Sequence, residues 1–302
     1  MKLIRFRKSF AFLFVAASCS IVGFAQRAKP PQPVKKAVIF AVLGDGGLLE
    51  PIAYVSKGKL EATVNGSDSP SLLAAFNRNY YKPGTSYRLI FGGGDAGSVS
   101  VKSANPQSDC SKNIAISVTK AAKTPLKGLV MGLATNAPGK ISTSVRRKPT
   151  AEEKDEIEAL VLEEYAKQKL TPKVLRYHNL TALDIENDGK VEFVGSYWME
   201  IDRLTRGLLF FIAGKGSNDK YSVGYREYKE IDQSKVMSGE IKSIDEGVGH
   251  ELLLDAFDFD GDGTSNIFTY IQSFEGAGFA AYRKSGGKWS KTYEGSNYHC
   301  GY

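Results

Sequence analysis

Residues 258–266, DFDGDGTSN, carry aspartates at alternate positions, Asp258, Asp260 and Asp262, and follow the third at once with Gly263. Carboxylates crowded this closely repel one another unless a cation sits among them. A hard divalent cation takes about six to eight oxygens, and a tight loop supplies them when alternate side chains point inward and the backbone turns sharply after the third. On this reading Asp258, Asp260 and Asp262 are ligands, and Gly263 permits the turn. Thr264 presents its backbone carbonyl, and Asn266 its side chain, directly or through water. A second segment, DIENDGKVE (184–192), offers Asp184, Glu186, Asp188, the Lys190 carbonyl and Glu192. Oxygen-only ligation disfavours zinc and copper, and the ligand number favours calcium over magnesium. An EF-hand would need a glutamate where Gly195 and Thr269 stand, and the flanks here are strand-like. Both segments therefore read as EF-like calcium loops between strands.

The elements that position these loops repeat along the chain. NLTALDIENDGKVEFVGSYW (179–198) aligns without gaps on LLDAFDFDGDGTSNIFTYIQ (253–272), with aspartates matched at 184/258 and 188/262 and glycines at 189/263. Further on, GLLFFIAGKGSNDKYSVGY (207–225) matches GFAAYRKSGGKWSKTY (278–293). Each unit of roughly 70 residues reads strand, acidic loop, strand, strand, Gly-rich turn, strand. The two units resemble FG-GAP/VCBS repeats, the calcium-loop blades of integrin α-chain propellers and of many exported bacterial proteins. The shared pattern is D-x-D-x-D-G-x-x-[DN], then an apolar strand, then a Gly-rich turn with an aromatic, here SGGKW and GSNDKY. The resemblance covers about residues 174–300. It implies four-stranded antiparallel blades with calcium held between the first two strands. Glu186 departs from the usual shorter acid, and two blades do not close a propeller. Either the assembly is partial or other strands close it.

Upstream, MKLIRFRKSFAFLFVAASCSIVGFAQ has the layout of a secretory signal peptide over residues 1–25, with cleavage after Ala25; lipoprotein processing at Cys19 is the rival. Its loss lowers the formal charge from +7 to +3. Residues 26–36 read as a Pro- and Lys-rich linker. Residues 37–149 read as a basic, strand-rich sandwich or barrel, with one short helix in SPSLLAAFNRNYY capped by Ser69 or Ser71. Residues 150–170 read as a connecting helix, with a Thr150/Glu153 capping box and Ile157, Leu160, Val161 and Tyr165 on one face. Residues 171–302 form the acidic repeat domain. The charge reverses across the hinge: 26–149 hold 18 Lys and Arg against 6 Asp and Glu, a net of +12, and 150–302 hold 18 against 27, a net of −9. That asymmetry predicts two domains with separate cores and partners. Cys110 and Cys300, the two cysteines left after cleavage, predict one disulfide in an oxidising compartment.

Other constellations are weaker. Gly92, Gly94 and Gly97 spell G-x-G-x-x-G, but a strand follows where a dinucleotide site needs a helix, so a hairpin loop is expected. His178, His250 and His299 lack a nucleophile elbow or HExxH pattern, and Cys110 with His299 and Cys300 is too sparse for zinc. Tyr80, Tyr81, Lys82, Arg88, Arg146, Arg147 and Lys148 suggest a surface for an acidic polymer, or a face that is solvated or docked on the acidic half. The chain thus reads as a mainly β protein with one long helix, exported to the periplasm, outer envelope or medium. The expected function is noncatalytic: calcium rigidifies the repeats for adhesion or for binding an envelope or extracellular ligand. A calcium-dependent hydrolase with its site in the basic half, and a purely structural envelope protein, are the alternatives.

Overall fold

The computed structural model describes residues 35–299 apart from 45–46, 105–111, 121–130, 141–145, 173, 217, 237–242 and 274. The expected signal peptide, most of the linker, and Cys110 and Cys300 lie outside the described residues. No helix among the described residues is long and apolar enough to cross a membrane.

The basic half is a barrel. Strands β1 (Ala37–Leu43), β2 (Leu48–Ser56), β3 (Lys59–Ala62), β4 (Ser86–Phe91), β5 (Gly94–Ala104), β6 (Ala115–Lys120) and β7 (Gly132–Thr135) run in the order β1-β7-β4-β5-β6-β2-β3. Antiparallel pairing of β1 with β2 closes six of them on themselves. The continuous apolar run of β1 has a physical reason. Val38, Phe40 and Val42 point into the barrel, while Ile39 and Ala41 point outward into a second apolar cluster, so both faces are buried. Helix α1 (Pro70–Tyr80) starts with proline in its first turn; Ser69 is its cap residue, but its side chain accepts no capping hydrogen bond. The α1 residues Phe76 and Tyr80, with Tyr81 just beyond, fill the interior against Phe40 and Tyr87, whose rings lie 4.8 Å apart.

Helix α2 (Ala151–Lys167) opens with the expected capping box, Thr150 and Glu153 bonding reciprocally. It buries Ile157, Val161 and Tyr165. Two four-stranded antiparallel meanders follow: β8 (Leu175–Leu183), β9 (Glu192–Asp202), β10 (Thr205–Lys215) and β11 (Tyr221–Asp232), then β12 (Glu251–Phe257), β13 (Asn266–Ser273), β14 (Gly276–Ser285) and β15 (Lys288–Tyr298). Their registers match at the loop mouths, where Leu183 pairs with Glu192 and Phe257 with Asn266. The repeat is therefore a repeat of sheets, with an acidic loop between the first two strands of each.

These elements stack as layers: α2, first sheet, second sheet, barrel. Ile157, Val161 and Tyr165 pack on Phe193, Tyr197 and Phe211 of the first sheet. That sheet's Val194, Phe210 and Ile212 meet Ile267, Tyr282 and Trp289 of the second. The second sheet's other face, with Phe257, Phe268 and Phe279, joins Ile39, Ala41, Ile52, Ile90 and Leu133 of the barrel in one cluster. One apolar cluster thus crosses the expected boundary near residue 149, while a second stays within the barrel. Phe257, Phe259, Phe268 and Phe279 sit in the shared cluster, and burying four such side chains contributes about 6–12 kcal/mol. That is comparable with the whole stability of an ordinary domain. The helix and the barrel cover the outer faces of the two sheets, so the pair needs no further blades to bury them. Between β7 and α2, Lys140 and Arg147 form single bridges to Asp258 and Ala182, at the first-strand edges of the two sheets.

Candidate metal centre

In the second loop, the carboxylates of Asp258, Asp260 and Asp262 offer oxygens that all lie within 4.8 Å of one another. Local hydrogen bonds hold this arrangement. Asp258 accepts from Gly261 N at 2.7 Å through one oxygen and from Gly263 N at 2.9 Å through the other. Asp262 Oδ1 accepts from Thr264 N at 2.9 Å, and this bond, followed by Arg283, holds the Asp262 carboxyl below its ordinary range. Gly263 adopts φ +95°, the left-handed turn for which glycine was expected.

The first loop has the same backbone. Asp184 accepts from Asp188 N at 3.1 Å and Gly189 N at 2.9 Å, and Asp188 accepts from Lys190 N at 2.9 Å. Gly189 has φ +83°, and Asn187, like Gly261 in the other loop, is also left-handed. Yet among the described residues only Asp258, Asp260 and Asp262 form a convergent acidic group. Glu186 instead turns outward to Lys284 on β14 of the next sheet.

The closing position of each loop is the first residue of its second strand, and it is buried. Glu192 directs its carboxylate back onto Ile185 N at 2.8 Å. Burial, with lesser contributions from Glu186, Asp188 and Asp184, pushes it up to about 7. Asn266, its counterpart, is 1 % exposed, and its Oδ1 has no hydrogen-bond partner. An orphaned buried amide oxygen costs about 1–3 kcal/mol. It stands at the mouth of three converging carboxylates, so a hard cation fits this donor set. Thr264 and Lys190, whose carbonyls were expected to contribute, each donate their backbone N–H to the aspartate two residues earlier.

Three contributors were not visible from spacing. Arg283 on β14 faces Asn266 in the sheet register and pairs with both Asp260, at 3.3 Å, and Asp262. The second residue of each loop is an apolar anchor: Ile185 enters the seam between the sheets, and Phe259 the seam with the barrel. An apolar residue between two acids was the available signal. Gly139, on the chain leaving β7, lies so close to the second loop that a Cβ there would stand 2.7 Å from Phe259 backbone atoms.

The other candidates have structural roles. The G-x-G-x-x-G segment is the expected hairpin turn, between β4 and β5. Its Gly92 and Gly93 amides donate at 2.7 and 2.6 Å to the fully buried Asp255 of β12. Arg146 lies 3.8 Å from the same carboxylate and donates to the Leu253 and Leu254 carbonyls. Arg88 donates to Ala137 and Gly139 carbonyls, and Arg147 pairs with Glu153. Tyr80 and Tyr81 are inside the barrel, which leaves Lys82, Lys148 and the Glu153-paired Arg147 as the exposed remainder of the basic set. His178 and His250 stack in parallel at 4.1 Å, and burial pushes His250 down to about 4. His299 pairs with buried Glu50 at 2.7 Å and straps the chain end to the barrel. No family model, curated protein or solved structure matches the chain.

Proposed function

We propose that the Asp258 loop holds a calcium ion that fastens the second sheet to the barrel, in an exported, noncatalytic binding or adhesion protein whose two sheets are FG-GAP/VCBS-type blades. One observation carries this reading: the buried, unpartnered Asn266 Oδ1 at the mouth of three converging carboxylates. The sequence independently assigns a ligand to that position. The all-oxygen donor set favours a hard ion, and the three acids and the amide, with the Thr264 carbonyl and water, would reach the ligand number that favours calcium over magnesium. The acids and the amide would hold the ion. Its positive charge would relieve carboxylate repulsion and stiffen a loop whose Phe259 is rooted in the shared core. The first loop is the weaker site, because Glu186 is engaged elsewhere. Export is supported by the basic and apolar leader. The noncatalytic reading is supported by the internal engagement of Arg88, Arg146 and His299.

Thermal melting with calcium, with magnesium and with chelator tests the reading. Calcium at a hundredfold above its Kd should stabilise the fold by about 2.7 kcal/mol. Magnesium should do less. Equal melting temperatures in all three buffers would sink the calcium reading.

A further inference from the structure

We infer that Arg283 is a tethered counter-ion: it closes the second acidic loop in the absence of metal and competes with a divalent cation for Asp260 and Asp262, so that it sets the affinity of the site. This rests on the reading of that loop as a cation site.

The three carboxylates do not share their oxygens evenly. Both oxygens of Asp258 are held by backbone N–H groups. Asp262 has Oδ1 on Thr264 N, and Asp260 has Oδ1 3.5 Å from Asp262 N. The remaining oxygens, Oδ2 of Asp260 and Oδ2 of Asp262, both face the guanidinium of Arg283. A backbone N–H leaves a carboxylate oxygen with a lone pair to spare for a metal, whereas a guanidinium on the same oxygen brings a positive charge that repels one. Arg283 therefore opposes a metal at those two oxygens. Its position is not accidental to the fold, because Arg283 lies directly opposite Asn266 in the β13–β14 register, at the loop mouth.

The guanidinium cannot complete the site. Arginine offers donors only, and Asn266 Oδ1, 1 % exposed, stays without one. In the first repeat the counterpart Glu192 sends its carboxylate back to Ile185 N, so a side chain at this register position can reach the loop. Arg283 thus neutralises two acids and leaves the buried amide oxygen unsatisfied. A cation would satisfy all four groups, so the two occupants are alternatives of different completeness. The arginine side chain is about one quarter exposed and has room to swing outward when displaced.

The test is a calcium titration of the full chain followed by NMR. The Gly261 and Gly263 amides report the second loop, and the Gly189 amide reports the first. Arg283→Gln should bind calcium at the second loop about tenfold more tightly than wild type, since it removes two partly exposed charge-assisted pairs. Arg283→Lys, which keeps the charge but loses the fork, should fall between them and supplies the comparison if the glutamine variant does not fold. Lys288→Gln, an exposed β15 lysine, controls for loss of a nearby positive charge and should match wild type. Melting should show the complementary pattern: Arg283→Gln less stable than wild type in chelator, and more strongly stabilised by calcium. Equal or weaker calcium affinity in both Arg283 variants would overturn the counter-ion role while leaving the calcium site in place. Absence of any shift at Gly261 and Gly263 in every protein would remove the site and this inference together.

Discussion

The two acidic loops share a backbone and differ in their neighbours. Each ties its first aspartate to the amide of the glycine five residues on, and each sinks its second residue into the next layer of the stack. For the first loop that next layer is a sheet, which supplies a pocket for Ile185 and Lys284 for Glu186. For the second it is the barrel together with the chain leaving β7, whose Gly139 and Lys140 press backbone against the loop itself. Asp258 is buried as a result, whereas Asp184 is only partly covered and Asp188 is exposed. A ligand motif is therefore only half a site. Whether its carboxylates converge is decided by what packs on the loop from outside.

The largest effect should come from prising the barrel off the second loop. Gly139→Val places a branched side chain where even a Cβ stands 2.7 Å from Phe259 backbone atoms. Neither side of that contact is a flexible side chain, so the loop must move and Phe259 must leave its seam. Overpacking and the lost burial together predict a cost of about 3 kcal/mol or more. Urea unfolding would measure it. Hydrogen exchange should show loss of protection at Gly261 and Gly263 with Gly189 unchanged. Equal loosening of both loops would mean that the barrel does not distinguish them.

A smaller effect separates the loops by pH. Glu192 closes the first loop with a carboxyl held up at about 7, against an ordinary value of 4.5, while Asn266 in the second does not titrate. Between those two values the unfolded chain has released a proton that the folded chain keeps. This contribution to stability is complete below 4.5 and disappears as the pH rises through 7, a loss of at most about 3 kcal/mol. In calcium-free buffer, wild-type stability should fall across that window. Glu192→Gln, which preserves an acceptor for Ile185 N, should flatten the fall. An unchanged slope in the variant would place its origin elsewhere.

The local parts of this structure were legible from the chain. The loop glycines, the Thr150 capping box, the turn at Gly92 and the strand alternation each depend on residues within a few positions of one another. The stacking was not legible, because it depends on contacts across the whole chain: Asp255 on the Gly92 and Gly93 amides, or Gly139 on Phe259. The charge asymmetry between the halves did not reveal the shared cluster either: at the seam Arg146 reaches Leu254 and Asp255 of the acidic half, and Arg88 lies over the Phe257 ring. Arg283 was invisible as a site residue because a basic residue late in a strand carries no ligand signature. Only the register that sets it opposite Asn266 reveals it.

The smallest expected difference is the most direct test of the comparison, because it removes the same atoms from both loops. In chelator, Asp184→Ala and Asp258→Ala each free two backbone N–H groups. Around Asp184, partly exposed with its acceptors at 3.1 and 2.9 Å, water replaces the lost carboxylate. Around Asp258, 4 % exposed and pinned under the barrel, water enters poorly. An N–H left out of reach of water costs about 1–3 kcal/mol; Gly261 is half-buried and Gly263 exposed, which puts Asp258→Ala at about 1–2 kcal/mol and Asp184→Ala at about 1 or below. Relief of repulsion opposes this loss, and would favour Asp258→Ala if its neighbours were uncompensated. Arg283 already pairs with Asp260 and Asp262, so that relief should be small. The isosteric Asp258→Asn separates the two contributions, since it keeps an acceptor and removes the charge. It should cost less than the alanine in chelator and still weaken calcium binding. If Asp258→Ala and Asp184→Ala cost the same, burial under the barrel does not govern the loops, and their different surroundings would have no energetic consequence.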